Sequence, residues 1–127
     1  MLYIWTFALG TVHCVDSAYW HEWEVLRLPG GIDAFLIESL ALALPFLYGL
    51  SRLAKNAPSG LTYAVVLSMV SLAGVALHAV LLLQGGTEFR TVASIVTLVL
   101  MFAFASWLLH EAVRSKKAGG GQEPRGL

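Results

Sequence analysis

Four apolar stretches, roughly Leu2–Trp20, Ile32–Leu50, Leu61–Leu83 and Thr91–Leu109, take up most of this chain of 127 residues. Each is close to the ~20 residues a helix needs to cross ~30 Å of hydrocarbon. Only 13% of the residues are charged and 57% are hydrophobic, with a mean hydropathy of +0.73, whereas soluble domains carry about 25% charged residues. The expected fold is therefore all-α: an integral membrane four-helix bundle, antiparallel and up-down, over residues 1–115. Four spans and short links leave no room for a soluble catalytic module.

The first stretch differs from a secretory signal, because it lacks a basic leading region and carries His13 and Asp16 where an apolar run belongs. It reads as a retained span. The single cysteine, Cys14, has no intrachain disulfide or zinc-knuckle partner, and packing is its expected role.

The formal net charge of zero conceals a polarity along the bundle axis. If the spans alternate, one side holds Arg52, Lys55, Arg114, Lys116, Lys117 and Arg125 against Glu111 and Glu123. The other holds Arg27 and Arg90 against Asp16, Glu22, Glu24, Asp33, Glu38 and Glu88. Because Lys and Arg favour the cytoplasmic face, both termini are expected in the cytoplasm and the chain in a bacterial inner membrane. The link "SRLAKNAPSG" reads as a turn, which makes spans 2 and 3 neighbours. The polar, Gly-rich segment 116–127 is expected to be a disordered tail. Trp5, Trp20, Trp23 and Trp107 fall near span ends, as interfacial anchors do. Helical character continues past Trp20, so helix 1 is expected to project until Pro29-Gly30-Gly31 ends it.

Three spans carry a stripe of small and polar residues at helical spacing: Thr6, Gly10, His13, Ser17 and Trp20; Ala34, Glu38, Ala41, Pro45 and Tyr48; and Leu67, Ser71, Gly74, His78, Leu81 and Gly85. Membrane helices pack through small residues and hide polar ones from lipid, so these stripes are expected to face inward. At ~1.5 Å per residue, His13 lies ~12 Å below Trp20–Trp23, with Asp16 bordering its stripe, while Glu38 and His78 lie ~10 Å below Gly31 and Gly85. Alternation then brings His13, Asp16, Glu38 and His78 to one height in the extracytoplasmic half.

An ionisable side chain near the bilayer centre costs about 2.5–3.5 kcal/mol on insertion scales, so four together call for an explanation. The bland one is a hydrogen-bonded network that fixes helix register, as in an accessory subunit of a larger complex. The preferred one is a divalent metal of the zinc, iron or manganese type held by His13, Asp16, Glu38 and His78, with His21 and Glu24 as an outer shell. The Glu-x-x-His pairs of di-iron bundles and the His-Glu-x-x-His motif are both missing. A further reading is acid–base chemistry on, or binding of, a lipophilic small molecule, with Glu38 as acid or base and His13 relaying protons. Haem between His13 and His78 ranks last. His110-Glu111 reads as a solvated helix end, and Arg90 as a possible partner of Glu24, Asp33 or Glu38. Partners are the lipid bilayer and a second copy or larger complex, and a nucleic-acid partner is not expected.

With "HCVDSAYWHEWE", "LPGGIDAFLIE" and four short spans, the chain resembles small four-helix bacterial membrane proteins of a family without an assigned activity, over residues 1–115. Through "ESLALALPF" it also resembles the EXPERA group, the four-helix family of sterol isomerases and the sigma-2 receptor. That second resemblance implies a lipophilic pocket faced by Asp16 and Glu38 and sterol-type isomerisation. It has no counterpart for His13 and His78.

Overall fold

The computed structural model describes residues 1–85 and 90–120, with side chains through residue 118. The described residues form five helices and no strand: α1 (Leu2–Tyr19), α2 (Glu22–Val25), α3 (Gly31–Ala54), α4 (Pro58–Leu83) and α5 (Val92–Gly120). Thr87 and Glu88, and residues 121–127 of the expected tail, lie outside the described residues. α5 itself runs to Gly120, five residues past the expected end of the bundle at 115.

Local chemistry sets the boundaries. Gly30 stands just before α3 with φ of 93°, a left-handed value that glycine adopts at no steric cost, and Asp33 occupies the first turn, where the helix dipole favours an acid. Pro58 starts α4 with its φ already helical and no N–H to leave unpaired. Between α3 and α4 the turn passes through Asn56, also left-handed at φ 51°. Arg52 Nε donates to Ser59 Oγ at 3.0 Å across that turn.

α4 packs against both α3 and α5, and α1 packs chiefly on α5. One end of this assembly is dense. Tyr3, Phe46, Ala64, Leu67, Leu108 and Ala112 form a buried cluster drawn from all four long helices, and Tyr3 Oη donates to the Phe46 carbonyl at 2.7 Å. Gly49 and Gly60 permit this closeness. A Cβ at Gly49 would lie 2.5 Å from Tyr63 Cβ and 2.6 Å from Tyr3 Oη, and one at Gly60 would lie 2.8 Å from the Leu53 backbone nitrogen.

The exterior is apolar instead of polar. Ile37, Leu44, Met69, Val99 and Phe102 are all exposed. α3, α4 and α5 are each long and apolar enough to cross a membrane, and together they suggest a membrane protein. α1, at 18 residues with His13 and Asp16 inside it, falls outside that set.

Two expectations are corrected. Helix 1 does not project to Pro29: it ends at Tyr19, and left-handed His21 (φ 52°) redirects the chain into the short α2. Burial of Trp23 beside Phe35, their ring centroids 5.6 Å apart, accounts for the reversal, so Trp23 is a packed residue and not a rim anchor. The inner face of α3 is also rotated. Glu38, Ala41, Pro45 and Tyr48 are exposed, while Phe35, Ser39, Ala43, Phe46 and Leu50 are buried or half-buried. Two aromatic rings bury more apolar area than a row of small residues, and they decide which side turns inward.

Candidate metal centre

His13 and His78 do meet. The stripes of α1 and α4 both turn inward, with Thr6, Ser17, Leu67, Ser71 and His78 buried. The two imidazoles stand edge to face, 4.5 Å between centroids and 82° between planes. That spacing leaves no room for a haem between them.

The third member of the group is Glu22. The left-handed turn at His21 seats α2 against α1 and α3, and Glu22 is buried there with its carboxylate beside His78. Its Oε1 lies 3.7 Å from His78 Nε2. One ligand atom each from His13, Glu22 and His78 lie within 4.8 Å of one another. An N···O separation of 3.7 Å is longer than a hydrogen bond of 2.7–3.2 Å. It is near the ~3.4 Å between two ligands held ~2.1 Å from one tetrahedral ion.

The surroundings of His78 fix its tautomer. His78 Nδ1 stands 2.9 Å from the Gly74 carbonyl oxygen. A carbonyl only accepts, so Nδ1 carries the proton and the Nε2 lone pair points into the group. A histidine whose far nitrogen donates to a backbone carbonyl is the common arrangement in metal sites, because the hydrogen bond fixes the tautomer and the ring orientation. His13 Nδ1 and Ser17 Oγ are buried without a hydrogen-bond partner among the described residues, an arrangement that costs desolvation with no return. A divalent cation between the three side chains would offset the burial of the Glu22 carboxylate as well.

The other expected ligands stand elsewhere. Asp16 Oδ1 accepts from Ser94 Oγ at 2.9 Å, and Ser94 in turn shares a 2.7 Å hydrogen bond with Thr91. This carboxylate ties α1 to the start of α5. Glu38 is exposed and outside the ligating group, although it lines the same cavity as His13 and Glu22. His21 and Glu24 are exposed, His21 lying against Trp23. Among the described residues no ion pair joins Arg90 to Glu24, Asp33 or Glu38, and His110 pairs only with neighbouring Glu111 at 3.4 Å.

By sequence, Glu22 counts among the acids of one side and has no ligand role. Nine residues beyond His13, at 100° per residue, it would stand on the opposite side of a continuous helix. The available signal was the short distance from Trp20 to Pro29-Gly30-Gly31, which leaves room for a turn and little more.

A cavity of about 520 Å³ opens beside the group, between α1, α3 and α4 with α2 above it. Its walls are largely apolar, including Phe7, Phe35, Phe46, Leu67 and Met101, with polar groups from His13, Ser17, Glu22 and Glu38.

Fold and site together give an all-helical protein with three helices long and apolar enough to cross a membrane and a largely buried His/Glu group near metal-binding distance. The chain belongs to the family of unknown function DUF6713, whose model matches residues 1–115. This agrees with the resemblance to a family without an assigned activity. No curated protein and no solved structure matches the chain, and the EXPERA resemblance finds no support in these comparisons.

Proposed function

We propose that this protein is a multi-pass membrane protein that binds one divalent metal ion, of the zinc, iron or manganese type, through His13, Glu22 and His78. The observation that carries the reading is the convergence of three ligand residues from three helices within 4.8 Å, with the His78 tautomer set by the Gly74 carbonyl. Two imidazoles and one carboxylate match a common ligand set for zinc, and three protein ligands leave a coordination position open. Asp16 serves the helix packing, and Glu38 serves the cavity wall.

In this reading α1 is the fourth span of an up-and-down bundle. Its two ionisable residues are turned toward His78 and Ser94, which removes their cost against lipid. Basic residues at the α3–α4 turn and at the end of α5 favour a cytoplasmic location for that side, with both termini there and the metal in the extracytoplasmic half of an inner membrane.

Equilibrium dialysis of the purified protein in lipid nanodiscs against zinc, iron(II) and manganese(II) tests this. One ion per chain is expected, lost in His13→Ala and in His78→Ala. Binding of none of the three, or one ion per chain retained by either variant, would overturn it.

The cavity supports a second reading, acid–base chemistry on a lipophilic molecule, because Glu38 and His13 share its wall. That reading predicts an activity that Glu38→Gln abolishes while metal content stays unchanged. An activity that survives Glu38→Gln would reject it.

A further inference from the structure

The cavity and the metal group are one compartment. His13 and Glu22 belong to both, and the remaining wall is largely apolar. Its volume of about 520 Å³ falls within the ~300–1,000 Å³ of small-molecule pockets. The α1 wall, from Phe7 to Ser17, extends about 15 Å at 1.5 Å per residue, and α3 contributes a parallel length from Phe35 to Phe46. The compartment is therefore elongated, with the ligating group toward one end and the Phe7–Phe46–Leu67 surface toward the other. Leu40 and Leu42 line it while also being exposed on the outer surface of α3, so it communicates with the region where acyl chains would lie.

Charge selects the head of an occupant. A divalent ion held by two neutral imidazoles and one carboxylate keeps a net charge of +1. In a low-dielectric site, a monoanionic donor in the open position would bring that charge to zero, and an uncompensated buried charge is what such a site tolerates least. Within the ligating trio Glu22 is the one acid; Asp16 is engaged by Ser94, and Glu38 stands on the cavity wall with its side chain exposed. On the metal-binding reading, we infer that this compartment holds a single-chain amphiphile whose monoanionic oxygen head completes the metal's coordination while its chain fills the cavity between α1 and α3.

Gly10 and Cys14 make the inference testable. Gly10 lines the cavity and a Cβ there would meet no atom within 4 Å, so a leucine has open space for its first carbon and takes up cavity volume. Cys14 is the only cysteine and lines the same wall. The experiment loads the protein with cobalt(II) in nanodiscs and titrates octanohydroxamic acid, acetohydroxamic acid and neutral octanamide, following the cobalt visible spectrum and the alkylation rate of Cys14.

Octanohydroxamic acid is expected to bind at least tenfold more tightly than acetohydroxamic acid, to shift the cobalt spectrum and to slow Cys14 alkylation. Gly10→Leu is expected to abolish that chain-length advantage while retaining cobalt. Partition of the probe into lipid cancels between the two proteins. Equal affinity for the long and short hydroxamates, or an unchanged advantage in Gly10→Leu, overturns the inference and leaves the metal centre standing. Octanamide binding as tightly as octanohydroxamate overturns the anionic head. Failure to take up cobalt at all overturns the metal-binding reading and this inference with it.

Discussion

The two ends of the helix assembly are built to different standards. Around Tyr3, Phe46, Gly49 and Gly60 the helices approach until glycine is required, and the buried Tyr3 Oη has its acceptor. Around His13, Glu22 and His78 there is a cavity, polar atoms are buried without partners at His13 and Ser17, and the chain reverses through a left-handed His21. The contrast teaches a division of labour. One end fixes how the long helices sit, and that fixed frame lets the other end hold ionisable groups in a loosely filled compartment.

If the division is real, substitutions at the two ends should fail differently. The largest effect is expected from Gly49→Leu, which drives a side chain into Tyr63 and Tyr3. Overpacking costs typically 1–3 kcal/mol, and this site, with backbone and ring atoms at the contact, belongs at about 3. Thermal or denaturant unfolding in mild detergent would show it, and an unchanged transition would mean that this end is not the frame. Next is His78→Ala, expected to weaken metal affinity by more than ~100-fold, beyond the loss of an outer-shell partner, while barely moving the apo protein's unfolding. A large apo destabilisation with no change in metal content would instead make His78 a packing residue.

Ser94→Ala tests the boundary between the ends. It removes the donor to Asp16 Oδ1 and is expected to cost about 1–2 kcal/mol of stability with metal stoichiometry intact; loss of metal would place Asp16 in the centre after all. Tyr3→Phe deletes one hydrogen bond to the Phe46 carbonyl and should cost about 1 kcal/mol, again without touching metal. The smallest effect is expected from Glu24→Gln, since that side chain is exposed and outside the ligating group. Its metal affinity should match the parent protein, and a tenfold loss would restore it to an outer shell. Metal retention should also fall as the pH is lowered, because each imidazole must be neutral to ligate and protons compete for the same nitrogens.

The difference between the ends also explains what the sequence made legible. His13 and His78 sit on regular helices whose small-residue stripes keep phase, so periodicity alone brings them together. Glu22 was hidden because its position depends on a break in that periodicity at His21, a conformation no residue in "YWHEWE" demands by type. Glu38 was misplaced for another reason. Its stripe of small residues is genuine, but Phe35 and Phe46 outweigh it and turn α3 so that Glu38 reaches only the cavity's outer wall. Asp16, expected among the ligands, instead accepts a hydrogen bond from Ser94 on α5, a contact between distant segments that helical periodicity does not encode.

The most direct test of the metal centre is X-ray absorption at the metal edge of protein loaded with one zinc ion and held in lipid. The account predicts a four-coordinate N/O shell near 2.0–2.1 Å with outer-shell scattering from two imidazole rings, reduced to one ring in His13→Ala. A spectrum without imidazole scattering, or one left unchanged by removing His13, would contradict it.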